Sequence, residues 1–374
     1  MAESSLYSIY TSVITGFEWL ASEEIKSKLS VKSQRSRGRV QFRLEPKRIP
    51  EVLKLRSIDN AYVIVLEKTL LNLGKLPEEE ALREIQNLIK SVDWETAVDA
   101  WQLAHGRKIA HFVGLPEDRE NLPKFRVTCF RAGEKSCHSF SSMDAAKSLG
   151  AEINNTFGWR PDMKNYDIEL VLRINGDTLS LMVALNNESL FKRNVCAYGP
   201  TTMRSTICYC MVALAKTKPD DIVLDPLCGG GSIPLEGSLA FPDRVFFGGD
   251  NHPLALERCR ENHDYNKKKL ANTSSTVNFF QWDAAALPLK DDSVDAIVTD
   301  LPFGKKIGSK KNNQGLYTLL FEEWARVVRP GGSVVALTSD KRSIETAMRN
   351  SQVWKNHGDS LGKHWRSNYS MLSH

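Results

Sequence analysis

The sequence predicts an α/β second half built on an open, mainly parallel sheet, preceded by small α+β units. Two observations carry this. Beyond residue 200, four apolar strands recur at helix-separated intervals, each ending near a polar residue, which is the rhythm of a parallel sheet with helical crossovers. Before it, short strands and helices follow one another without that rhythm, and Asn175-Gly176 marks a tight hairpin. The change falls near 195–200, at the polar Lys192-Arg193-Asn194 and the Gly199-Pro200 break.

The chain has 374 residues, 41% hydrophobic and 25% charged, a globular composition that excludes a disordered or fibrous class. Its longest uncharged apolar stretch is too short for a membrane span, and the N-terminus does not resemble a signal peptide. Seven cysteines, with Cys208/Cys210 the one close pair, indicate neither a metal cage nor a disulfide framework, so no metal is expected and a reducing, intracellular setting is. The net charge of +5 is mild, but its distribution is uneven. Residues 26–48 hold nine Lys or Arg against Glu45 alone, and Lys305-Lys306 with Lys310-Lys311 form a second cluster. A single basic run is usually a solvated face; two suggest phosphate binding.

In order, strands are expected at 7–14, 39–44 and 61–67, with helices at 18–29 and 50–56. A helix over 78–91 carries Leu82, Ile85, Leu88 and Ile89 on one stripe. A polar connector at 105–123 leads to a strand at 124–131, a helix at 142–157, and a hairpin of 167–174 with 178–185. The second half has strands at 221–225, 244–250, 277–282, 294–300 and 333–338. No internal repeat or low-complexity segment interrupts it.

The chemistry gathers where those strands end, the side of an open α/β sheet on which ligands bind. Asp225-Pro226-Leu227-Cys228-Gly229-Gly230-Gly231-Ser232 follows the first strand and precedes a helix. Three glycines permit close backbone approach to a ligand, and a helix N-terminus favours an anion. The run lacks the lysine of a phosphate-binding loop and the third glycine of a dinucleotide fingerprint. Asp250 ends the second strand, placed to accept from ribose hydroxyls; Asp283, after Trp282, is placed to accept from an adenine amine. Each acid alone is as readily a helix cap. In order, they describe a pocket for S-adenosylmethionine.

Asp300-Leu301-Pro302-Phe303-Gly304 ends the fourth strand. Methylating an exocyclic amine calls for such a set: a side-chain acceptor and a backbone carbonyl to orient the N–H bonds, and a ring to stack on the base. A Pro turn alone would account for Pro302 and Gly304 but not for Asp300 and Phe303. Asp300, unlike asparagine, can also take up the released proton.

Asp300-Leu301-Pro302-Phe303 resembles the [D/N]-P-P-[F/Y] signature of amino methyltransferases, and Asp225-Pro226-x-Cys228-Gly229-x-Gly231 with Glu236 resembles their cofactor motif. Two further stretches, Tyr198 to Thr206 (YGPTTMRST) and Phe125 to Lys135 (FRVTCFRAGEK), resemble the eukaryotic THUMP-domain-containing tRNA guanine-N2 methyltransferases, nearest the third human-type paralogue. Thr11, Thr15-Gly16-Phe17-Glu18 and the run from Asp300 to Lys311 support that choice, and the likeness covers about residues 8–345. It implies an N-terminal ferredoxin-like domain (1–72), a THUMP RNA-binding domain (73–190) and a Rossmann-like class I methyltransferase domain (199–374). The implied substrate is guanine near position 6 of tRNA, and a small zinc-binding activator subunit is the implied partner. The implied setting is the cytoplasm or the nucleus.

The resemblance also assigns roles. Asp225, Cys228, Gly229 and Gly231 would line the methionine end of the donor, with Thr201, Thr202 and Arg204, on the helix before the first strand, near its carboxylate. Asp250 would take the ribose, Asp283 the adenine, and Asp300, Pro302 and Phe303 the target base. Arg126, Arg131, Lys135, Lys192, Arg193, Lys305 and Lys306 would meet RNA phosphates, although each can equally be a surface charge. Three departures stand out. Gly230 replaces a usual polar residue and loosens the turn, the connector at 105–123 is shorter than the family's, and 356–374 shows no pattern of closing strands. The competing readings are an RNA-binding protein with an inactive catalytic half, or an amino methyltransferase acting on another RNA, on DNA adenine or on a protein glutamine.

Overall fold

The computed structural model describes residues 6–109, 122–132, 137–302, 310–350, 354–356 and 369–373. Of the expected site residues, Lys135, Phe303, Lys305 and Lys306 lie outside the described residues, as does most of the 105–123 connector. The chain divides into two compact units, residues 1–13 with 21–189, and residues 14–20 with 190–374.

The first unit runs β1 (Tyr7–Ser12), α1 (Glu18–Leu29), β2 (Ser33–Ser36), β3 (Arg39–Leu44), α2 (Ile49–Val52), β4 (Asn60–Thr69), α3 (Glu78–Asn87), α4 (Trp94–His105), β5 (Lys124–Ala132), α5 (Ser142–Phe157), β6 (Arg160–Pro161), β7 (Ile168–Asn175) and β8 (Thr178–Ala184). Alternation fixes the faces: in β3, Val40, Phe42 and Leu44 are buried while Gln41 and Arg43 are not. The strand order is β2-β3-β1-β4-β8-β7-β5-β6. Antiparallel pairing of β4 with β8, from Tyr62↔Ala184 to Thr69↔Thr178, means that stretches 1–72 and 73–190 share one sheet. The hairpin turns at Asn175-Gly176, with Gly176 at φ +58. α5 opens with a capping box in which Ser141 and Asp144 satisfy each other's backbone N–H. The sequence reading did not foresee α4, although Asp93 caps it and Gly106 ends it in the left-handed region.

The second unit runs α6 (Ser205–Leu214), β9 (Ile222–Asp225), α7 (Ser232–Ala240), β10 (Val245–Asp250), α8 (Pro253–Leu270), β11 (Thr276–Gln281), β12 (Val294–Asp300), α9 (Lys310–Val327), β13 (Val328–Leu337), α10 (Lys341–Asn350), β14 (Lys355–Asn356) and β15 (Tyr369–Ser373). Its order is β11-β10-β9-β12-β13-β15-β14, with β9 to β13 parallel. The expected lack of closing strands is corrected here: β15 pairs antiparallel with β13, from Ser333↔Ser373 to Leu337↔Tyr369, and β14 pairs with β15. Backbone hydrogen bonds along the open side of β13 provide that closure, so a strand this short needs no long alternating pattern. Tyr317, Phe321 and Trp324 of α9 pack with Leu224, Ile297 and Val334 in the core beneath the sheet. The order reverses between β9 and β12, which opens a ligand crevice at their carboxyl ends.

Candidate active site

Asp250, Asp225 and Asp300 end the neighbouring strands β10, β9 and β12 along that carboxyl edge, and Asp283 follows the end of β11 by two residues. Asp225 is buried, accepts from Thr299 Oγ1 at 2.7 Å and from Leu227 N at 3.2 Å, and burial pushes its carboxyl up to about 8. The chain then turns sharply. Gly231 N donates to Cys228 O at 2.8 Å, and Gly229 and Gly231 sit at φ +53 and +78, a region that side-chain-bearing residues seldom adopt. A Cβ at Gly229 would meet nothing within 4 Å, so the backbone there faces open space.

Asp250 ties this turn to β10. Its Oδ2 accepts from Gly229 N at 3.0 Å and its Oδ1 from His252 N at 2.9 Å, leaving one lone pair on each oxygen for a diol. Beside it, Trp282 donates from Nε1 to Pro226 O at 3.3 Å and stacks on Phe280 with centroids 5.3 Å apart. A Cβ on Gly249 would fall 1.9 Å from the Trp282 ring, so that glycine is a requirement of packing. Asp283 is exposed and accepts from Ala285 N, consistent with a cap as well as with an adenine contact.

Asp300 ends β12 one residue after Thr299. Its Oδ1 is buried and has no hydrogen-bond partner among the described residues, and burial pushes the carboxyl up to about 7. A buried acceptor without a donor is costly in a folded chain unless a ligand completes it. Pro302 O accepts from the Tyr317 hydroxyl at 2.9 Å, which anchors the turn that follows.

The other expected residues separate. Thr201 and Thr202 precede α6 rather than lying on it, and Arg204 stands at its N-cap with the guanidinium 4.4 Å from the Phe191 ring centre. Thr202 Oγ1 accepts from Gly199 N at 2.6 Å. Lys192 is exposed. Arg126 pairs with Glu169 at 2.9 Å and lies over Tyr166, while Arg131 donates to Phe140 O at 2.6 Å. Arg193 corrects the expectation of a phosphate contact: it is mostly buried and pairs at 2.8 Å with buried Glu236, which Asn194 also holds. Its charge is spent inside the unit.

Sequence reasoning missed Asn262. Fully buried on α8, it accepts from Cys196 N and Ala197 N, both at 2.8 Å, and donates to Ala197 O and Gly230 O. The glycine turn is therefore pinned at Gly230 rather than loosened there. Its signal in the sequence is an asparagine in phase with Ala255, Cys259 and Asn266, all buried.

These residues fit S-adenosylmethionine: a backbone open to a ligand at Gly229, spare acceptors on Asp250, an indole beside them, and a buried Asp300 oxygen with no hydrogen-bond partner among the described residues. Among the described residues, no helix is long and apolar enough to cross a membrane, and no group of three or more His, Cys, Asp or Glu could hold a metal ion.

A family model described as RMKL-like, methyltransferase domain, matches residues 193–364. TrmN from Thermus thermophilus superposes with a TM-score of 0.73 at 21% identity, over 98% of this chain and 99% of that one. SMU.472, crystallised with SAH, superposes with a TM-score of 0.71 at 16% identity. Fold and site define a class I methyltransferase that uses S-adenosylmethionine. The tRNA (guanine(6)-N(2))-methyltransferase THUMP3 of Mus musculus is 34% identical over 93% of this chain and 84% of its own length, and that of Homo sapiens 33% over 94% and 84%. The chain belongs to this THUMP3 family of methyltransferases.

Proposed function

We propose that this chain methylates the exocyclic N2 amine of a guanine in the acceptor region of tRNA, at position 6 or nearby. The observation that carries it is Asp300: an acid whose buried oxygen has no hydrogen-bond partner among the described residues, at the strand end beside the donor turn. When bound, the donor supplies a methyl carbon on a sulfonium, and its departure leaves a neutral thioether. Asp300 accepts from one N2–H and so aims the nitrogen lone pair at that carbon. Asp300 would then take up the surplus amine proton released on methyl transfer. A carboxyl held near 7 suits that role, because it is half ionised near neutrality and readily reprotonated.

The substrate reading is supported by the family and by Asp at the position where adenine and glutamine methyltransferases typically carry Asn. The N-terminal stretches 1–72 and 73–190 are read as ferredoxin-like and THUMP domains that hold tRNA, with Lys192 and the basic run at 26–48 supplying phosphate contacts. A small zinc-binding activator subunit is the proposed partner and the cytoplasm the proposed setting. The test is mass spectrometry of tRNA incubated with the protein, labelled donor and activator. N2-methylguanosine is the expected product; its absence with active partner present overturns the reading.

A further inference from the structure

α8 carries a cation that the sequence motifs do not account for. Arg258 stands one turn before Asn262, and its Nε is buried without a hydrogen-bond partner among the described residues. The contrast with Arg126 and Arg193 is direct, since those cations rest on Glu169 and Glu236. The guanidinium lies against Gly199, and the foot of the same side chain, its Cβ, lies against Gly230 of the glycine turn. An added Cβ at Gly199 would be 3.1 Å from Arg258 Nε and 3.3 Å from Cζ, and one at Gly230 would be 3.7 Å from Arg258 Cβ. Gly199 thus leaves room for a planar cation beside the glycine turn. Asn262 binds Ala197 and Gly230 together one helical turn below, so both walls are fixed. Asp225 is held by Thr299 and Leu227, and Asp250 by Gly229 and His252, none of them Arg258. Among the described residues no carboxylate pairs with this cation, and the anion that the donor would bring is its α-carboxylate, a planar group that a guanidinium matches with two parallel hydrogen bonds.

We infer that Arg258 binds the amino-acid carboxylate of the donor and is a cofactor-binding residue of this site. The inference rests on the S-adenosylmethionine reading and is independent of the RNA substrate. Calorimetry on the full-length chain tests it with two probes, S-adenosylhomocysteine and 5′-methylthioadenosine, which shares the adenosine but has no carboxylate. Arg258→Gln lowers affinity for the first at least tenfold and for the second less than twofold, while Arg258→Lys retains part of the discrimination. Should Arg258→Gln not fold, Gly199→Ala, which crowds the guanidinium, is expected to weaken the first probe selectively. Equal loss for both probes assigns Arg258 a structural role and overturns the inference, as does no loss at all, or loss of tRNA binding alone. Failure of wild-type protein to bind either probe overturns the donor-site reading instead.

Discussion

The hydroxyl of Thr299 donates to Oδ1 of Asp225 at 2.7 Å, across the seam between β12 and β9. The residue that steadies the donor-side acid therefore immediately precedes Asp300, the proposed acceptor of the amine. One strand positions both halves of the reaction. Thr299→Val preserves the shape and removes the donor, leaving Leu227 N as the remaining bond to that oxygen. The expected cost is about 1–3 kcal/mol in urea denaturation, with weaker S-adenosylhomocysteine binding. Unchanged values would separate this pair from the site.

The rate is expected to follow the ionisation of Asp300. Its carboxyl is raised by burial to about 7, so below that pH it is mostly protonated and cannot take up the amine proton. Single-turnover rate should climb as pH rises through about 7 and then level. The effect on stability has the opposite sign. A raised folded-state value means the folded chain holds a proton that the unfolded chain releases above about 4. That stabilisation is complete below about 4 and is lost as pH rises through about 7. Asp225, raised to about 8, adds to the same trend. Asp300→Asn should flatten the rate profile and reduce the slope of stability between these limits, read by denaturation at several pH values.

Arg193 and Lys192 are adjacent and predicted to behave in opposite ways. Arg193→Met leaves buried Glu236 with Asn194 as its remaining named partner and should cost about 3–5 kcal/mol. Lys192→Met should leave thermal stability intact and lower the salt dependence of tRNA binding by about one contact. The reverse pattern would restore Arg193 to the RNA surface.

Gly249→Ala places a methyl group 1.9 Å from the Trp282 ring. The ring is held by Pro226 O and by its stack on Phe280, so it has little freedom to yield. Overpacking of about 1–3 kcal/mol is expected, with altered tryptophan fluorescence on donor binding. A neutral variant would show that the indole does not wall the pocket.

What the sequence made legible was local. The strand-end acids Asp225, Asp250 and Asp300 sit at fixed offsets from apolar runs, and Asn175-Gly176 specifies its own turn. What it hid was carried by distance or by silence. The pairing of β4 with β8 joins residues more than 100 positions apart, and no local pattern announces it. Asn262 and Arg258 read as the polar residues of an ordinary solvated helix, because their partners, Ala197, Gly199 and Gly230, lie elsewhere in the chain. Arg193 was misassigned for the same reason: a basic residue at a domain break looks exposed until Glu236 is found beneath it. α4 was overlooked although its cap, Asp93, and its stop, Gly106, were both in view.

The most direct measurement compares wild-type protein and Asp300→Ala in one assay, reading tRNA products by mass spectrometry alongside affinities for tRNA and S-adenosylhomocysteine. The expected result is N2-methylguanosine from the wild type and none from the variant, with both affinities nearly unchanged. A variant that still forms N2-methylguanosine at the wild-type rate would contradict the assignment of Asp300 as the acceptor of the amine.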